Sequence, residues 1–140
     1  LALLVAGGWW GWRWARGSAA PAPWAPADLE ASVDSLARAP AGVRIRIHVA
    51  NASGIRGRAR RATALLRDRG FDVVLFDTER GADAPRTTVI VHAGPPEWGE
   101  RVRRALGTGT VAVQRDSTRL VEVRVRLGRD WEPPPQSLRP

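Results

Sequence analysis

The sequence predicts an α+β fold: a two-layer sandwich with helices on one side of a β-sheet and the other sheet face open. Three observations predict it. Over residues 43–131 the apolar spacing switches between period two and helical period in the order β-α-β-β-α-β-β. The first and last strands alternate apolar with polar residues, whereas a parallel sheet covered on both faces would carry continuous apolar runs. The chain has 140 residues, enough for one domain of ordinary size with appendages. The order is similar to a ferredoxin-like split βαβ arrangement with an open sheet face. The alternative is a three-layer sheet with residues 28–39 as the third layer.

Each element has its own signal. In residues 43–49, Val43, Ile45, Ile47 and Val49 alternate with Arg44, Arg46 and His48, as in a half-buried strand. Asn51-Ala52-Ser53-Gly54 is a loop with capping chemistry. The spacing predicts a helix over residues 55–69, with Ile55, Ala59, Ala62, Leu65 and Leu66 on one face and Gly70 closing it. Residues 71–76 and 87–93 read as the second and third strands, separated by a polar loop. Pro95-Pro96 opens a second helix whose stripe is Trp98, Val102, Ala105 and Leu106, and Gly107 ends it. Residues 110–113 form a short fourth strand. Residues 120–127 form the fifth, with Val121, Val123, Val125 and Leu127 inward and Glu122, Arg124 and Arg126 outward.

Outside that domain, residues 1–16 open with an uncharged run followed by Arg13 and Arg16, and carry Trp9, Trp10, Trp12 and Trp14. Twelve helical residues reach about 18 Å, less than the roughly 30 Å hydrocarbon core. The run therefore reads as the outer end of a transmembrane helix that starts upstream, with the tryptophans at headgroup level. Residues 17–42 are a Pro/Ala-rich linker with a short helix over 28–39. Residues 132–140 are a Pro-rich tail expected to be disordered.

Composition narrows the function. Cysteine is absent, which excludes disulfides, thiolate metal sites and a thiol nucleophile. His48 and His92 are the only histidines, too few for a zinc site, so neither metal nor cofactor is expected. Asp72, Asp77, Glu79 and Asp83 stand in no recognisable acid/base context, and no catalytic residue is assigned. The net charge is +8, and every one of the 22 basic residues is Arg. Residues 43–131 hold 18 Arg against 10 acids, so the excess resides in the domain. The absence of Lys beside abundant Ala, Gly and Pro points to a codon bias behind part of the arginine content.

Two places suit an anion. One is the loop and helix start formed by Asn51, Ser53, Gly54, Arg56 and Arg58, where free N–H groups and the helix dipole favour negative charge. The spacing lacks the glycines and lysine of a nucleotide-phosphate loop. The other is the open sheet face, expected to carry Arg44, Arg46, His48, Arg124 and Arg126 with Glu122 among them. No aromatic residue stands on that face to stack bases, so nucleic acid is not the expected partner.

The segment RIHVANASGIRGRARRATALLRDRGFDVV, residues 46–74, resembles the opening of the LytR C-terminal domain family. That family shows a strand, an Asn-Gly-Ser-Gly loop, a small-residue helix and a Gly-Phe-Asp-Val strand. Residues 86–91, RTTVIV, are similar to its next strand, and Leu127-Gly128-Arg129-Asp130-Trp131 to its closing Leu-Gly-x-Asp. The sequence departs from the family at Ala52, which stands where Gly is usual and restricts the loop. Such domains occur behind a LytR-CpsA-Psr catalytic domain or alone behind one membrane helix. The resemblance implies a non-catalytic cell-envelope domain, tethered as a single-pass protein of the cell membrane and facing away from the cytoplasm. Its expected partner is an anionic glycopolymer, peptidoglycan or an envelope protein. The alternative is a cytoplasmic-facing domain that binds nucleic acid or anionic lipid, the side on which Arg13 and Arg16 would lie by the positive-inside rule.

The anchor makes a direct prediction. With the native upstream residues present, the protein should stay with membranes through a carbonate wash; recovery in the soluble fraction would reject the anchor.

Overall fold

The computed structural model describes residues 26–135, with side chains from residue 31 onward. In chain order they form α1 (Pro26–Leu36), β1 (Arg46–Asn51), α2 (Arg58–Asp68), β2 (Asp72–Thr78), β3 (Thr88–Val91), α3 (Glu97–Leu106), β4 (Thr110–Val113) and β5 (Val123–Leu127). This is the α+β order expected from the sequence. The strands form one five-stranded mixed sheet. Helix α2 packs on β1 and β2, α3 packs on β3 and β4, and the two helices touch each other, so they share one layer.

The sheet runs β2-β1-β5-β3-β4. β1 is parallel to β2 and to β5, β4 is parallel to β3, and β3 is antiparallel to β5. The first and last strands are therefore neighbours. The split βαβ detail is corrected: β1 lies directly beside β2, and β3 directly beside β4, so each helix joins adjacent strands. The strand placed between the two units is β5. Among the described residues no helix follows it, and its Val123, Val125 and Leu127 are fully buried, so it takes the centre, where burial is greatest.

Strand alternation decides which side chains enter the core. Ile45, Ile47 and Val49 leading into and along β1 point inward with Val123, Val125 and Leu127 of β5 and Val89 of β3. Against them α2 sets Ala59, Ala62 and Leu66, and α3 sets Val102, Ala105 and Leu106. The small alanines let the helices sit close to the sheet. Helix α3 carries Glu97 and Glu100 in its first turn and Arg103 and Arg104 in its last, each sign opposing the helix dipole.

Helix α2 starts later than its apolar spacing suggests. Its N-cap is Gly57, at φ +82°, a left-handed conformation that glycine adopts without steric penalty. Ile55, expected on the inner stripe, is exposed. Helix α1 lies toward the helical layer. Arg69 pairs with Asp34 at 2.6 Å, and the Arg101 guanidinium donates to the carbonyls of Ser35 and Arg38 at 3.0 and 3.1 Å. It does not form a third layer over the open face. Residues 1–25 and 136–140, with the expected anchor and the end of the tail, lie outside the described residues. Among the described residues no helix is long and apolar enough to cross a membrane.

Two tryptophans divide differently from the sequence expectation. Trp98 heads the α3 stripe but is only partly buried, packed against the edge of the core. Trp131, which follows β5 and belongs to no periodic stripe, has 0% of its surface exposed, and its indole N–H donates to the Leu106 carbonyl at 3.1 Å. Trp131→Ala should therefore cost about 3–5 kcal/mol, and Trp98→Ala distinctly less, by urea unfolding. Equal costs would mean that Trp131 is not the principal large side chain of the core.

Candidate functional site

The loop after β1 is built from its own polar groups. The Asn51 side-chain oxygen accepts from the Ser53 backbone N–H at 3.1 Å and from the Ser53 hydroxyl at 2.6 Å. The Asn51 amide donates to the Ile55 carbonyl at 2.8 Å, and the Ile55 N–H donates to the Ser53 hydroxyl oxygen at 3.1 Å. Both side chains are buried. These bonds close the turn, which is the local reason that α2 starts only at Arg58. They also leave Asn51 and Ser53 committed to the loop. Arg58 is committed as well: its guanidinium donates to the carbonyls of Gly128 and Arg129 at 3.2 and 2.9 Å. Of the residues expected at this anion site, Gly54 and Arg56 remain exposed.

The closing Leu-Gly-Arg-Asp-Trp segment grips the same end of the domain. Asp130 accepts from the Thr87 N–H and hydroxyl at 2.8 and 2.7 Å, and the Thr87 hydroxyl oxygen accepts from the Gly128 N–H at 3.0 Å. A Cβ at Gly128 would collide with the backbone of Arg86, so this approach requires glycine. The Ala52 N–H donates to the Leu127 carbonyl, and the Ala84 N–H to the Ala52 carbonyl, at 2.9 and 2.8 Å. The residues that carry the family resemblance thus form a structural clasp joining the ends of β1 and β5 to the start of β3. Holding the backbone path gives each of these polar atoms a partner.

The open sheet face collects Arg44, Arg46, His48, Arg124 and Arg126, as the alternation predicts. His48 sits opposite Arg124, and Arg124 opposite Ile90, in one row across the sheet. The expected excess of positive charge does not survive the fold. Arg44 pairs with Asp72 at 2.5 Å, and His48 Nε2 lies 3.1 Å from Asp77. Arg124 and Arg126 both pair with Glu79 at 2.9 Å. Arg46 forks onto Glu122, with its closest contact at 2.6 Å, and its backbone N–H donates to the same carboxylate at 2.8 Å. Four arginines and His48 thus face four carboxylates. Three of these, Asp72, Asp77 and Glu79, come from β2 and the loop after it, and no strand pattern in the sequence shows that they turn toward this face.

Glu122 is the most enclosed of these acids, with its side chain 16% exposed. Burial alone pushes its carboxyl up, but the Arg46 guanidinium and backbone hydrogen bonds outweigh that and hold it below its ordinary value. Arg46 is correspondingly raised by its hydrogen bonds to Glu122.

The remaining sites divide plainly. His48 and His92 are on β1 and just beyond β3, with β5 between those strands, and they do not meet. His92 is buried, its Nδ1 2.9 Å from the Gln114 carbonyl. Among the described residues no cluster of His, Cys, Asp or Glu could hold a metal. The fourth loop acid, Asp83, pairs with Arg129 and raises the guanidinium's pKa. Sequence reasoning missed one feature, a shallow groove between α2 and the outer edge of β2. Arg60, Arg61, Ala64, Leu65, Asp68 and Phe76 line it, together with Pro133–Pro135 of the tail. The polar spacing at Arg61 and Asp68, seven residues apart on one helix, is the only sequence signal for it.

The fold and these contacts define a small two-layer α+β domain whose signature residues hold its own backbone together. The chain belongs to the family described as LytR cell envelope-related transcriptional attenuator, which it matches over residues 44–131. Its description ties the family to the cell envelope and to transcriptional attenuation. No curated protein and no solved structure matches the chain.

The Glu122 pairing predicts a pH dependence. Because the folded carboxyl is held below its unfolded value of about 4.5, the pair stabilises the fold above that pH and the contribution fades as pH falls through the lower, folded value. Glu122→Gln should lower stability at pH 7 and flatten the acid limb of a stability-versus-pH curve. An unchanged acid limb would remove Glu122 from the account.

Proposed function

We propose that the chain is a membrane-tethered, non-catalytic cell-envelope domain that binds an anionic wall polymer at the strand-end rim of the domain. The rim is formed by the loops at residues 52–57, 79–86 and 127–130, which hydrogen bonds draw together. One observation carries the reading. Arg56, Arg80 and Arg86 are exposed on these loops and have no acidic partner among the described residues, whereas the basic groups of the sheet face are all paired. A free guanidinium can offer two parallel N–H donors to phosphate or carboxylate; one already forked onto a carboxylate must first break that pair.

Support for the envelope setting is the family itself, together with the uncharged, Trp-rich run of residues 1–16. The tether places the domain beside the wall, where a weak but multivalent contact with a repeating anion is retained. Binding made of exposed charges weakens with salt, because such charges are screened beyond about 8 Å at physiological ionic strength.

The test is retention on wall sacculi before and after removal of their anionic polymer. Arg56→Glu with Arg80→Glu and Arg86→Glu should reduce retention about tenfold or more, matching the loss seen when the polymer is stripped from wild-type assays. Arg44→Glu should leave retention near wild type, since Arg44 is held by Asp72. The opposite pattern would return the site to the sheet face, and equal retention on stripped sacculi would reject polymer binding.

A further inference from the structure

We infer that the groove between α2 and β2 is a self-association surface, occupied by the same face of a second copy of this chain. The outer edge of the sheet prompts the question. β2 is seven residues long and has no strand on its outer side among the described residues. It carries Val74, Leu75 and Phe76 in succession, 47%, 50% and 43% exposed. Native edge strands are usually short, or blunted by charge or proline, because an open apolar edge recruits another chain. β2 has no basic residue, proline or glycine to do this. Its protections are the acidic Asp72 and Asp77, a register shift at Val74, and Arg67, whose guanidinium donates to the Val73 carbonyl at 2.9 Å and caps the start of the edge. That cap disfavours simple addition of a strand along the whole of β2 and directs attention to the helix beside it.

Charge complementarity identifies the occupant. Arg61, Ala64, Leu65 and Asp68 follow one another at helical spacing i, i+3, i+4 and i+7, and all four line the groove. The charged pair sits at the two ends of this stripe, and neither side chain has an ion-pair partner among the described residues. A two-fold axis passing between Ala64 and Leu65 sets two α2 helices antiparallel. It brings Arg61 of each copy against Asp68 of the other, so one surface supplies both halves of two ion pairs, as an isologous interface requires. Ala64 at the centre is small enough for the helices to approach closely. Phe76 and Leu65 then lose water on both copies, the apolar gain that the exposed pairs alone would not provide. Pro133–Pro135 also line the groove. This surface is separate from Arg56, Arg80 and Arg86, so the association stands or falls independently of polymer binding.

The experiment is sedimentation equilibrium of the full chain in nonionic detergent, with charge-swap variants. The wild type should shift from monomer toward twice its 15.3 kDa with rising concentration, more readily at low salt. Arg61→Asp alone sets Asp against Asp at both contacts, and Asp68→Arg alone sets Arg against Arg. Each should weaken association about tenfold or more. An equimolar mixture of the two variants, and the double variant Arg61→Asp with Asp68→Arg, should recover it, because both contacts again join opposite charges. Recovery in the mixture also shows that neither single variant failed to fold. A wild type that stays monomeric, single variants that associate like wild type, or a mixture that remains monomeric would each overturn the inference.

Discussion

The whole sheet depends on where its last strand goes. β1-α2-β2 and β3-α3-β4 are two units with no strand pair between them; within the described sheet β5 joins them, parallel to β1 on one side and antiparallel to β3 on the other, while α2 touches α3 above it. Until β5 arrives, each unit has an unpaired edge and half of a core. The contacts it makes are far apart in sequence. Arg46 and Glu122, for example, are 76 residues apart, and closing such distances before any reward is gained slows folding. The residues after β5 fasten it in place. Gly128 passes close under Arg86, Asp130 holds Thr87, and Trp131 fills the gap below Leu106.

That constraint gives a physical account of the family's recognisable residues. Polar groups in a buried turn must find partners, and Asn51, Ser53, Thr87 and Asp130 find them in one another's neighbourhood. A loop of Asn, Ser and Gly ahead of a helix invites a ligand-binding interpretation because the same residue types serve anion sites. Here the Ser53 N–H and hydroxyl that would donate to an anion already donate to the Asn51 side-chain oxygen, and the nearby guanidinium of Arg58 already reaches two carbonyls. The groups the clasp does not consume include the exposed arginines of the rim and the α2 flank, on which the proposed polymer binding and self-association rest.

The open sheet face illustrates how a fold redistributes charge. Counting along β1 and β5 finds four arginines and one acid. Folding adds Asp72, Asp77 and Glu79 from the neighbouring edge strand and its loop, and the face becomes a network of paired ions. Such pairs at a partly exposed surface contribute little each. Their joint effect is to hold a sheet face that none of the described helices covers in a fixed pattern of side chains without leaving a large apolar patch.

By itself the sequence determined the order of the elements, most inward residues of β1 and β5, most of the two helical stripes and the family, because period and capping chemistry are local and survive in one dimension; Val43 and Ile55, expected inward, are exposed. The four residues of β4 were legible to the residue. Tertiary structure alone decided the strand order, the start of α2 at Gly57, the burial of Trp131 and the neutrality of the sheet face. Each of these depends on segments distant in the chain. A strand's alternation tells which side is buried but not which strand lies beside it. A tryptophan outside any periodic stripe gives no sign of the cavity it fills, and an arginine carries no record of the carboxylate that folding will bring to it.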